Sequence, residues 1–589
     1  MRMLFAALAL ACAAIEAHAQ EADPVARFEG LWASTMPFES GHSGPLSVRR
    51  DGEGWLWRVG ESAVHTDALA LELEDGRGRF DGRLSRDGRR IEGWWTQPPG
   101  LPGQAYTTPV VLAARDDGWA GEIAPLPQSF TMALRITRNE EGRWVGAFRN
   151  REFNMNGGAS RFFVQAADGR IDFATPEGEV ARSAEIAADR LRVQWPPVPA
   201  PLELARADAD ALRAYALRAY APRAEGAPIV VSRPERTNDG WRTARPRGAG
   251  FDEAALTRLV QEIATGDPAS RRPQLIHSLL VARGGRLVLE QYFFGHERDT
   301  AHDIRSAGKT FASIMLGALM RQGADIGPQT RVYDFLSAPT RDPRQHEITL
   351  GQLMTHTSGL DCNDNDENSR GNEGAMQGQS EQSDWWRFAL ELPMTHDPGR
   401  RYAYCTAGMN LVGAALRQAS GEDIPPLFDR LVARPLQFGR YYWNLAPNGQ
   451  GYLGGGAYMR PRDLLKVGQL YLDGGVWNGR RIVSREWVAL STAPHVEINE
   501  SATGMDAETF ANVALRGADG YAWHRYGVRS GDRLIDAYEA NGNGGQFLIV
   551  VPEYDLVVVM TGGNYGQGGI WNRWRHEIVG DRIIAAIRR

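Results

Sequence analysis

The sequence predicts a multidomain protein in which an N-terminal all-β region precedes a larger α/β domain with an antiparallel sheet and a helical subdomain. Residues 20–195 contain short segments of alternating apolar and polar side chains between Asp-Gly and Glu-Gly turns, a pattern typical of antiparallel strands. From Asp252 the pattern becomes mixed, with strand-like runs at both ends and helical runs between them, and we assign the second domain to 246–589. This arrangement predicts one sheet built from the two ends of the second domain.

The first residues have the pattern of a secretory signal. Arg2 precedes an apolar run over 3–14, and Ala17-His18-Ala19 supplies a small-x-small cleavage site. We therefore expect a signal peptide at 1–19 and an exported mature chain, periplasmic or secreted. Lipidation at Cys12 is the alternative, although Leu10 stands one place away from the usual lipobox position. No later apolar run approaches the roughly 20 residues of a membrane helix, so we expect a soluble mature chain.

The all-β domain, 20–195, contains a faint internal repeat. The segment 46–54 matches 134–142 at an offset of about 88 residues. Two copies of a meander predict a barrel or paired sheets, because closure hides strand edges. We interpret the tryptophans of this region as core packing residues. The stretch 196–245 is proline-rich and predicts a linker with one helix over 202–220.

Composition excludes some functions and leaves two cysteines to explain. The formal net charge is -6 and there is no basic run, so we expect no nucleic-acid partner. Removing the signal leaves Cys362 and Cys405, which we expect to form a disulfide in an exported chain; two unpaired buried thiols are the alternative. Their spacing does not fit a cysteine-based metal site, and no His-Glu-x-x-His pattern is present. We therefore expect no metal.

Ser306 and Lys309 are the predicted catalytic pair. The apolar run that begins at Phe311 predicts a buried helix, and residues at i and i+3 share one helix face. A serine hydroxyl needs a neighbouring base to take its proton, and a desolvated lysine can act as that base. Helix N-termini also offer free N–H groups to a developing oxyanion.

The use of lysine in this chain supports the assignment. Lysine occurs only at 309 and 466, so almost all of the 66 basic residues are arginine. Arginine does not deprotonate in proteins, so a retained lysine indicates a site that needs a neutral amine. We expect the second lysine, Lys466, on a solvated helix face.

Residues 240–589 resemble the serine β-lactamase-like and penicillin-binding-protein-like hydrolases, which use a Ser-x-x-Lys nucleophile. Besides Ser306 to Lys309, the resemblance is carried by four segments in the family's order, at 348–360, 398–408, 454–461 and 540–546. It implies a β-lactamase-like domain with a five-stranded antiparallel sheet, flanking helices and an all-helical subdomain, with the active site between them.

The resemblance also implies roles for single residues. Tyr404 matches the tyrosine of the family's Tyr-x-Asn motif and is expected to shuttle the proton of Ser306. Thr406 stands where the family has Asn. Gly542-Asn543-Gly544 replaces the family's Lys-Thr-Gly, so no cation remains there. We expect substrate contacts from Thr406 and from Asn543, Gly544 and Gly545, with the N–H of Gly545 pairing with that of Ser306 as an oxyanion hole.

Two neighbouring features suggest other functions. His356 and Ser358 could belong to a Ser-His hydrolase, but the family motif around them is structural, so we interpret His356 as a packed or hydrogen-bonded histidine. The acidic stretch 361–367 lacks the ligand spacing of a calcium loop, and we expect a solvated loop beside the site.

The sequence therefore predicts an exported serine hydrolase that cleaves an ester or a small amide. An acyl-enzyme forms on Ser306, with Lys309 and Tyr404 as the base, and no cofactor is required. Because the lysine of Lys-Thr-Gly is missing, the chain resembles the esterase and 6-aminohexanoate-dimer hydrolase branches of the family. The alternatives are a catalytically weak fold that binds cell-wall or protein partners, and a β-lactamase or D-Ala peptidase.

Overall fold

The structure is a computed structural model. It describes residues 23–588 apart from 38–40, 74–75, 77, 100–104, 127–128, 151–160, 197, 199, 208–228, 230, 268–269, 271, 380–382, 499–509 and 511–516. The predicted signal peptide at 1–19 lies outside the described residues.

The N-terminal region is all-β, as the alternating pattern predicts. Its strands are β1 (Gly30–Pro37), β2 (Gly44–Asp51), β3 (Gly54–Val59), β4 (Ser62–Thr66), β5 (Ala70–Glu72), β6 (Arg79–Leu84), β7 (Arg90–Gln97), β8 (Ala105–Arg115), β9 (Gly118–Ile123), β10 (Ser129–Arg138), β11 (Trp144–Asn150), β12 (Arg161–Ala167), β13 (Arg170–Ala174), β14 (Val180–Ala187), β15 (Arg190–Val193) and β16 (Leu202–Arg206).

These strands form two antiparallel units. Strands β2 to β9 make a curved meander in which β9 pairs with both β8 and β2. Strands β10 to β16 form a closed barrel with β1, which pairs with both β10 and β16. Buried tryptophans fill the two cores, as expected, including Trp57 and Trp95 in the meander and Trp32 in the barrel. The predicted barrel is confirmed.

The two units exchange their first strands. The repeated segments 46–54 and 134–142 begin on β2 and β10 and extend into the turns that follow. Strand β1 precedes β2 in the chain but pairs with β10, whereas β9 precedes β10 but pairs with β2. At the offset of the repeat β1 corresponds to β9, so each unit is completed by the Gly-and-Trp-containing strand that precedes the other copy of the repeated segment.

A second sheet is built from both ends of the C-terminal region. Its order is β17-β19-β18-β32-β31-β30-β27-β26-β25, and its five central strands are antiparallel. The strands of the C-terminal region are β17 (Arg242–Thr243), β18 (Ile276–Arg283), β19 (Arg286–Tyr292), β20 (His302–Asp303), β21 (Tyr442–Leu445), β22 (Ala457–Met459), β23 (Val476–Trp477), β24 (Arg480–Arg481), β25 (Val496–Glu497), β26 (Ala518–Asp519), β27 (His524–Arg525), β28 (Gly527–Ser530), β29 (Arg533–Asp536), β30 (Tyr538–Gly542), β31 (Gln546–Val551) and β32 (Leu556–Gly562).

Helices cover this sheet and form a subdomain between its two halves, as the sequence predicts. The α-helices are α1 (Glu253–Thr265), α2 (Thr310–Arg321), α3 (Val332–Phe335), α4 (Leu350–Met354), α5 (Glu373–Gln377), α6 (Trp385–Leu390), α7 (Thr406–Ser420), α8 (Ile424–Phe428), α9 (Pro461–Leu472), α10 (Arg485–Ser491) and α11 (Gly568–Trp571), and 3₁₀ or π turns cover 305–309, 343–347, 429–433 and 575–584 among others. Among the described residues, no helix is long and apolar enough to cross a membrane.

The N-terminal meander is hydrogen-bonded to the C-terminal region. Strand β8 pairs with β21, β21 pairs with β22, and β22 pairs with β20, so that one sheet runs from the meander to Asp303. Thr108 and Tyr442 add side-chain bonds across this junction to backbone carbonyls. The N-terminal region is therefore connected, through β21 and β22, to the strand that leads into Ser306.

Two local expectations are wrong. Residues Leu202–Arg206 form β16 and not the start of a helix, because alternate leucines of this segment fill the barrel core and the strand closes the barrel. The rest of that predicted helix lies largely outside the described residues. Lys466 is not on a solvated face: it is fully buried, and its Nζ donates to the carbonyl of Gln437 and to Asp463.

Candidate active site

Ser306 and Lys309 lie in a short 3₁₀ turn, Arg305–Lys309, which leads directly into α2. In a 3₁₀ turn the side chains at i and i+3 are eclipsed, so the two side chains point the same way. Lys309 Nζ is 2.9 Å from Ser306 Oγ and donates a hydrogen bond to it. Ser306 is half-buried and Lys309 is buried, so the amine is shielded from solvent while Ser306 is partly exposed.

The residue before Ser306 has a left-handed backbone. Arg305 has φ of 50°, which is uncommon for a residue with a Cβ. Asp303 holds this conformation: it accepts the N–H of Arg305 at 2.8 Å and pairs with its guanidinium at 2.9 Å. Unusual backbone of this kind is concentrated at functional sites, where the surrounding contacts impose it. Here it turns the chain sharply and presents the Ser306 side chain.

A glycine loop completes the surroundings of the amine. Lys309 Nζ also donates to the carbonyl of Gly454, and Ile304 N–H donates to the carbonyl of Ala457 at 3.1 Å. Gly455 approaches Arg305 so closely that a Cβ there would lie 3.1 Å from the Arg305 carbonyl. The glycines at 454–456, which the sequence presents only as part of a motif, therefore allow this loop to pack against the 3₁₀ turn.

Tyr404 lies beside the amine. Lys309 Nζ is 5.0 Å from the centroid of the Tyr404 ring, within the range of a cation–π contact. The backbone around Tyr404 is held on both sides: its carbonyl accepts Asp364 N–H at 2.8 Å, and the N–H of Cys405 donates to Nδ1 of His356 at 3.2 Å. The structure thus brings the predicted serine, lysine and tyrosine together.

His356 is packed and hydrogen-bonded, as expected. It is 4% exposed, and its ring centroid lies 4.5 Å from that of Tyr404. Burial lowers the pKa of His356 to about 3, because the apolar surroundings disfavour the charged ring. A neutral imidazole can accept the Cys405 N–H at Nδ1. His356 therefore positions the segment that carries Tyr404.

The predicted disulfide is present. Cys362 and Cys405 are bonded, with their Cα atoms 5.2 Å apart. Because Cys405 follows Tyr404 directly and is the N-cap of α7, the bond ties the start of that helix to the acidic loop after α4. The open alternative of two unpaired thiols is excluded.

Asp364 is a site residue that the sequence did not single out. The expected solvated loop is exposed from Asn365 to Asn368, but Asp364 turns inwards, and its two oxygens accept the N–H groups of Thr406 and Glu373 at 2.8 Å each. Burial raises the pKa of Asp364, and the nearby Lys309 opposes that rise. Asp364 therefore brings a carboxylate close to the amine.

Thr406 does not face the open cleft. It is 1% exposed, and its methyl group lies 2.3 Å from where a Cβ of Gly454 would be. Its backbone N–H is bonded to Asp364. We infer that Thr406 supports the Gly454 loop and does not contact substrate, because its side chain is shielded from solvent.

Residues 543–545 form the tight turn between β30, which ends at Gly542, and β31. A Cβ on Gly542 would lie 2.7 Å from the carbonyl oxygen of Ile304 and 3.1 Å from the nitrogen of Ser306, so this glycine lies against the backbone of Ser306. Asn543 is exposed, and its side-chain oxygen accepts the N–H of Gly566 at 2.8 Å.

The two following glycines are buried away from the cleft. A Cβ on Gly544 would meet the Tyr565 ring at 2.4 Å, and one on Gly545 would meet the Trp574 ring at 2.1 Å. The N–H of Gly545 donates to the carbonyl of Gly542 at 3.2 Å. It is therefore occupied within the turn, which argues against its expected role in an oxyanion hole.

The structure also assembles three histidines that sequence reasoning missed. Ring nitrogens of His277, His296 and His302 lie within 4.8 Å of one another, near the strand that leads into Ser306. No sequence motif relates them, because they come from β18, from the loop after β19 and from β20. The expected absence of a metal rested on cysteine and His-Glu-x-x-His spacing and did not consider this set.

The antiparallel sheet, the helical subdomain and a serine–lysine pair at the start of a buried helix place the chain among the serine hydrolases. Residues 273–570, just over half of the chain, match the family model described as β-lactamase. The chain belongs to the β-lactamase family.

One curated relative and two solved structures illustrate what the chain is similar to. A 6-aminohexanoate-dimer hydrolase from Paenarthrobacter ureafaciens is 25% identical over 358 residues, covering 57% of this chain and 88% of the relative. A penicillin-binding protein homologue from Caulobacter crescentus is 14% identical, with a TM-score of 0.44, over 56% of this chain and 97% of its own. A family VIII carboxylesterase is 18% identical, with a TM-score of 0.40, over 52% and 92%.

Proposed function

We propose that the protein is an exported hydrolase that cleaves esters or small amides through an acyl-enzyme on Ser306. The observation that carries the proposal is the 2.9 Å hydrogen bond between Lys309 Nζ and Ser306 Oγ beside the Tyr404 ring. Export is supported by the signal-like first residues and by the disulfide, a bond typical of oxidising compartments.

The proposed reaction begins with proton transfer from Ser306. Lys309, with the Tyr404 phenol as relay, takes the proton while Oγ bonds to the substrate carbonyl carbon. The proton then passes to the leaving alcohol or amine as its bond to that carbon breaks. Water attacks the resulting ester and restores the Ser306 hydroxyl. Lys309 Nζ already lies within hydrogen-bond distance of Ser306 Oγ, so the first proton transfer requires no large movement of the chain.

The oxyanion donors need a revised assignment. The N–H of Ser306 lies beside Gly542, and the next N–H along the chain belongs to the exposed Asn543. We assign Ser306 and Asn543 as the two donors in place of Ser306 and Gly545, because the Gly545 N–H is bonded within the turn.

Esters and small amides are favoured over β-lactams by the same turn. Gly542-Asn543-Gly544 stands where penicillin-processing relatives carry Lys-Thr-Gly, so this turn lacks the lysine, a cation that helps to hold a substrate carboxylate. The name of the Paenarthrobacter relative, a 6-aminohexanoate-dimer hydrolase, supports a small linear amide as one substrate class.

The test compares ester and β-lactam hydrolysis by purified mature protein. We expect rapid turnover of p-nitrophenyl acetate and butyrate, slow turnover of nitrocefin, and loss of ester turnover in Ser306→Ala and Lys309→Ala. Ser62→Ala, an exposed serine on β4, is the matched control and should keep full activity. A fluorophosphonate probe should label the wild type and the control but not Ser306→Ala. Ester turnover that survives Ser306→Ala would refute the nucleophile.

A further inference from the structure

Three histidines meet between the barrel and the catalytic sheet. His277 and His302 are 2% and 5% exposed, and His296 is half-buried on the loop that connects β19 to β20. The rings of His277 and His296 stack at 4.0 Å, and that of His302 lies 5.1 Å and 5.2 Å from them. One ring nitrogen from each lies within 4.8 Å of the others, so three ring nitrogens lie in one small volume.

The backbone orients one of these rings toward the cluster. His302 Nδ1 is 2.9 Å from the carbonyl oxygen of Asp303, which can only accept, so Nδ1 carries the hydrogen. Nε2 of His302 therefore has the lone pair, and it points at Nδ1 of His277 from 2.8 Å. A ring N–H held by a backbone carbonyl is the usual way in which proteins aim the other nitrogen at a metal ion.

We propose that His277, His296 and His302 bind one zinc ion. Three neutral imidazoles without a thiolate suit a borderline divalent cation, and zinc accepts three histidines with a water in its fourth position. Nitrogens bound to one tetrahedral zinc are about 3.4 Å apart, given zinc–nitrogen bonds of about 2.1 Å. Zinc binding requires the nitrogens of His277 and His302, now 2.8 Å apart, to separate, and the nitrogen of His296 to move closer. Side-chain rotations that shift these atoms by about 1 Å achieve both.

Arg149 competes with the ion. This residue of β11 in the barrel lies with Nη2 2.8 Å from Nε2 of His277, and its guanidinium can only donate. In that state His277 carries its hydrogen on Nδ1. Zinc on Nδ1 requires the hydrogen to move to Nε2, where it would face the guanidinium donor. Zinc and Arg149 therefore exclude each other at His277, and zinc binding releases the barrel from this contact without net loss of a proton.

The consequence is that zinc would break the link between the barrel and the strand that leads into Ser306. His302 lies on β20, and the next residue of the same strand, Asp303, accepts the N–H of Arg305 and so holds its left-handed backbone. Without zinc the barrel is tied to this region through Arg149 and His277, and with zinc the three catalytic-domain elements are tied to one another.

The experiment is zinc titration of the full mature protein, purified without a polyhistidine tag and freed of metal by chelator. Competition with a chromophoric chelator should give one zinc per chain. We expect His296→Ala, on the half-buried loop, and His302→Ala to weaken zinc affinity at least 100-fold, since even outer partners of zinc ligands are worth 10- to 100-fold. His495→Ala, an exposed histidine, is the control and should bind as wild type does.

Two further measurements separate binding from folding. Circular dichroism without zinc establishes that each variant is folded, and cobalt in place of zinc should give the visible absorption of a four-coordinate site. Arg149→Met should bind zinc about tenfold more tightly, because a charged hydrogen bond no longer competes. Absence of stoichiometric zinc binding, or binding that survives both His296→Ala and His302→Ala, would overturn the site. Unchanged affinity in Arg149→Met would overturn the competition.

Discussion

The ring of His356 packs against the ring of Tyr404 at 4.5 Å, and its Nδ1 accepts the N–H of the next residue, Cys405. A histidine near a candidate nucleophilic serine would ordinarily suggest a base. His356 instead packs against Tyr404 and fixes the backbone of the residue that follows it. The phenol is therefore the group whose removal should be tested first.

Tyr404→Phe should lower kcat for p-nitrophenyl butyrate by about 100-fold with little change in KM, because general acid–base groups contribute 10²- to 10⁴-fold. The ring, and with it the contacts to Lys309 and His356, is retained. Steady-state kinetics of the variant beside Tyr402→Phe, its neighbour two residues earlier, make the comparison. Equal losses in both variants would contradict a proton-relay role for Tyr404.

Lys309→Arg should abolish ester turnover, with a loss of about 10³-fold. Arginine keeps the positive charge but does not deprotonate, so it cannot accept the Ser306 proton. Single-turnover kinetics with p-nitrophenyl acetate provide the measurement. If the arginine variant retained a tenth of the activity, the role of Lys309 would be electrostatic and not that of a base.

Gly542→Ala should lower kcat by about 10²-fold, the cost of disturbing one oxyanion donor. The new methyl would lie 2.7 Å from the Ile304 carbonyl and 3.1 Å from Ser306 N, so the turn or the nucleophile must shift. Gly248→Ala is the control, since a Cβ there meets no atom within 4 Å. Thermal scans of both variants separate lost catalysis from lost folding, and normal activity of Gly542→Ala would contradict the close approach.

Breaking the disulfide should destabilise the helical subdomain and slow catalysis. The bond spans 43 residues, for which chain entropy gives about 4 kcal/mol. Cys362→Ser, Cys405→Ser and the double variant should all show the same lower Tm, since each removes the same bond. They should also lose kcat, because Cys405 adjoins Tyr404. A double variant with the Tm and kcat of the wild type would contradict this role.

Stability should fall with decreasing pH in part through His356. Its pKa is about 3 in the folded protein, below the ordinary histidine value of 6.5 that the unfolded chain has, so the unfolded chain binds a proton that the folded chain does not. Between these values the free energy of unfolding decreases by up to about 1.4 kcal/mol for each pH unit by which the pH falls.

Urea unfolding at pH 7 and pH 5 tests this prediction. The midpoint should fall further in the wild type than in His356→Gln, which has no titrating ring. His65→Gln, at a site where 64% of the side chain is exposed, should behave as the wild type. An identical pH dependence in all three proteins would show that His356 does not titrate in this range on unfolding.

Local spacing made part of the site predictable. Ser306 and Lys309 are three residues apart, so any helical turn brings them together, and the rarity of lysine supported the choice. Tyr404 is almost a hundred residues away, and only the family's motif order could connect it. The rarity of lysine does not by itself identify a catalytic residue. Lys466 is also buried, but it forms an ion pair with Asp463 and is not part of the site.

Features that depend on tertiary pairing were not predictable. The alternating pattern of the N-terminal region locates strands but does not specify their partners, so the exchange of β1 and β9 could not be inferred. Asp364 looked like one carboxylate of a solvated loop, and its inward turn depends on N–H groups from two helices. The histidine cluster combines three elements without a fixed spacing between them.

The exchanged strand β1 constrains how the protein emerges from the ribosome. Both partners of Gly30–Pro37 lie far along the chain, on Ser129–Arg138 and Leu202–Arg206. At synthesis rates of about 5–20 residues per second, this strand waits several seconds for its first partner and longer for its second. Meanwhile β9 completes the meander as soon as Gly118–Ile123 is made. The meander can therefore pair completely before the barrel does, although the barrel contains the first strand of the chain. Strand β1 is among the last strands to pair.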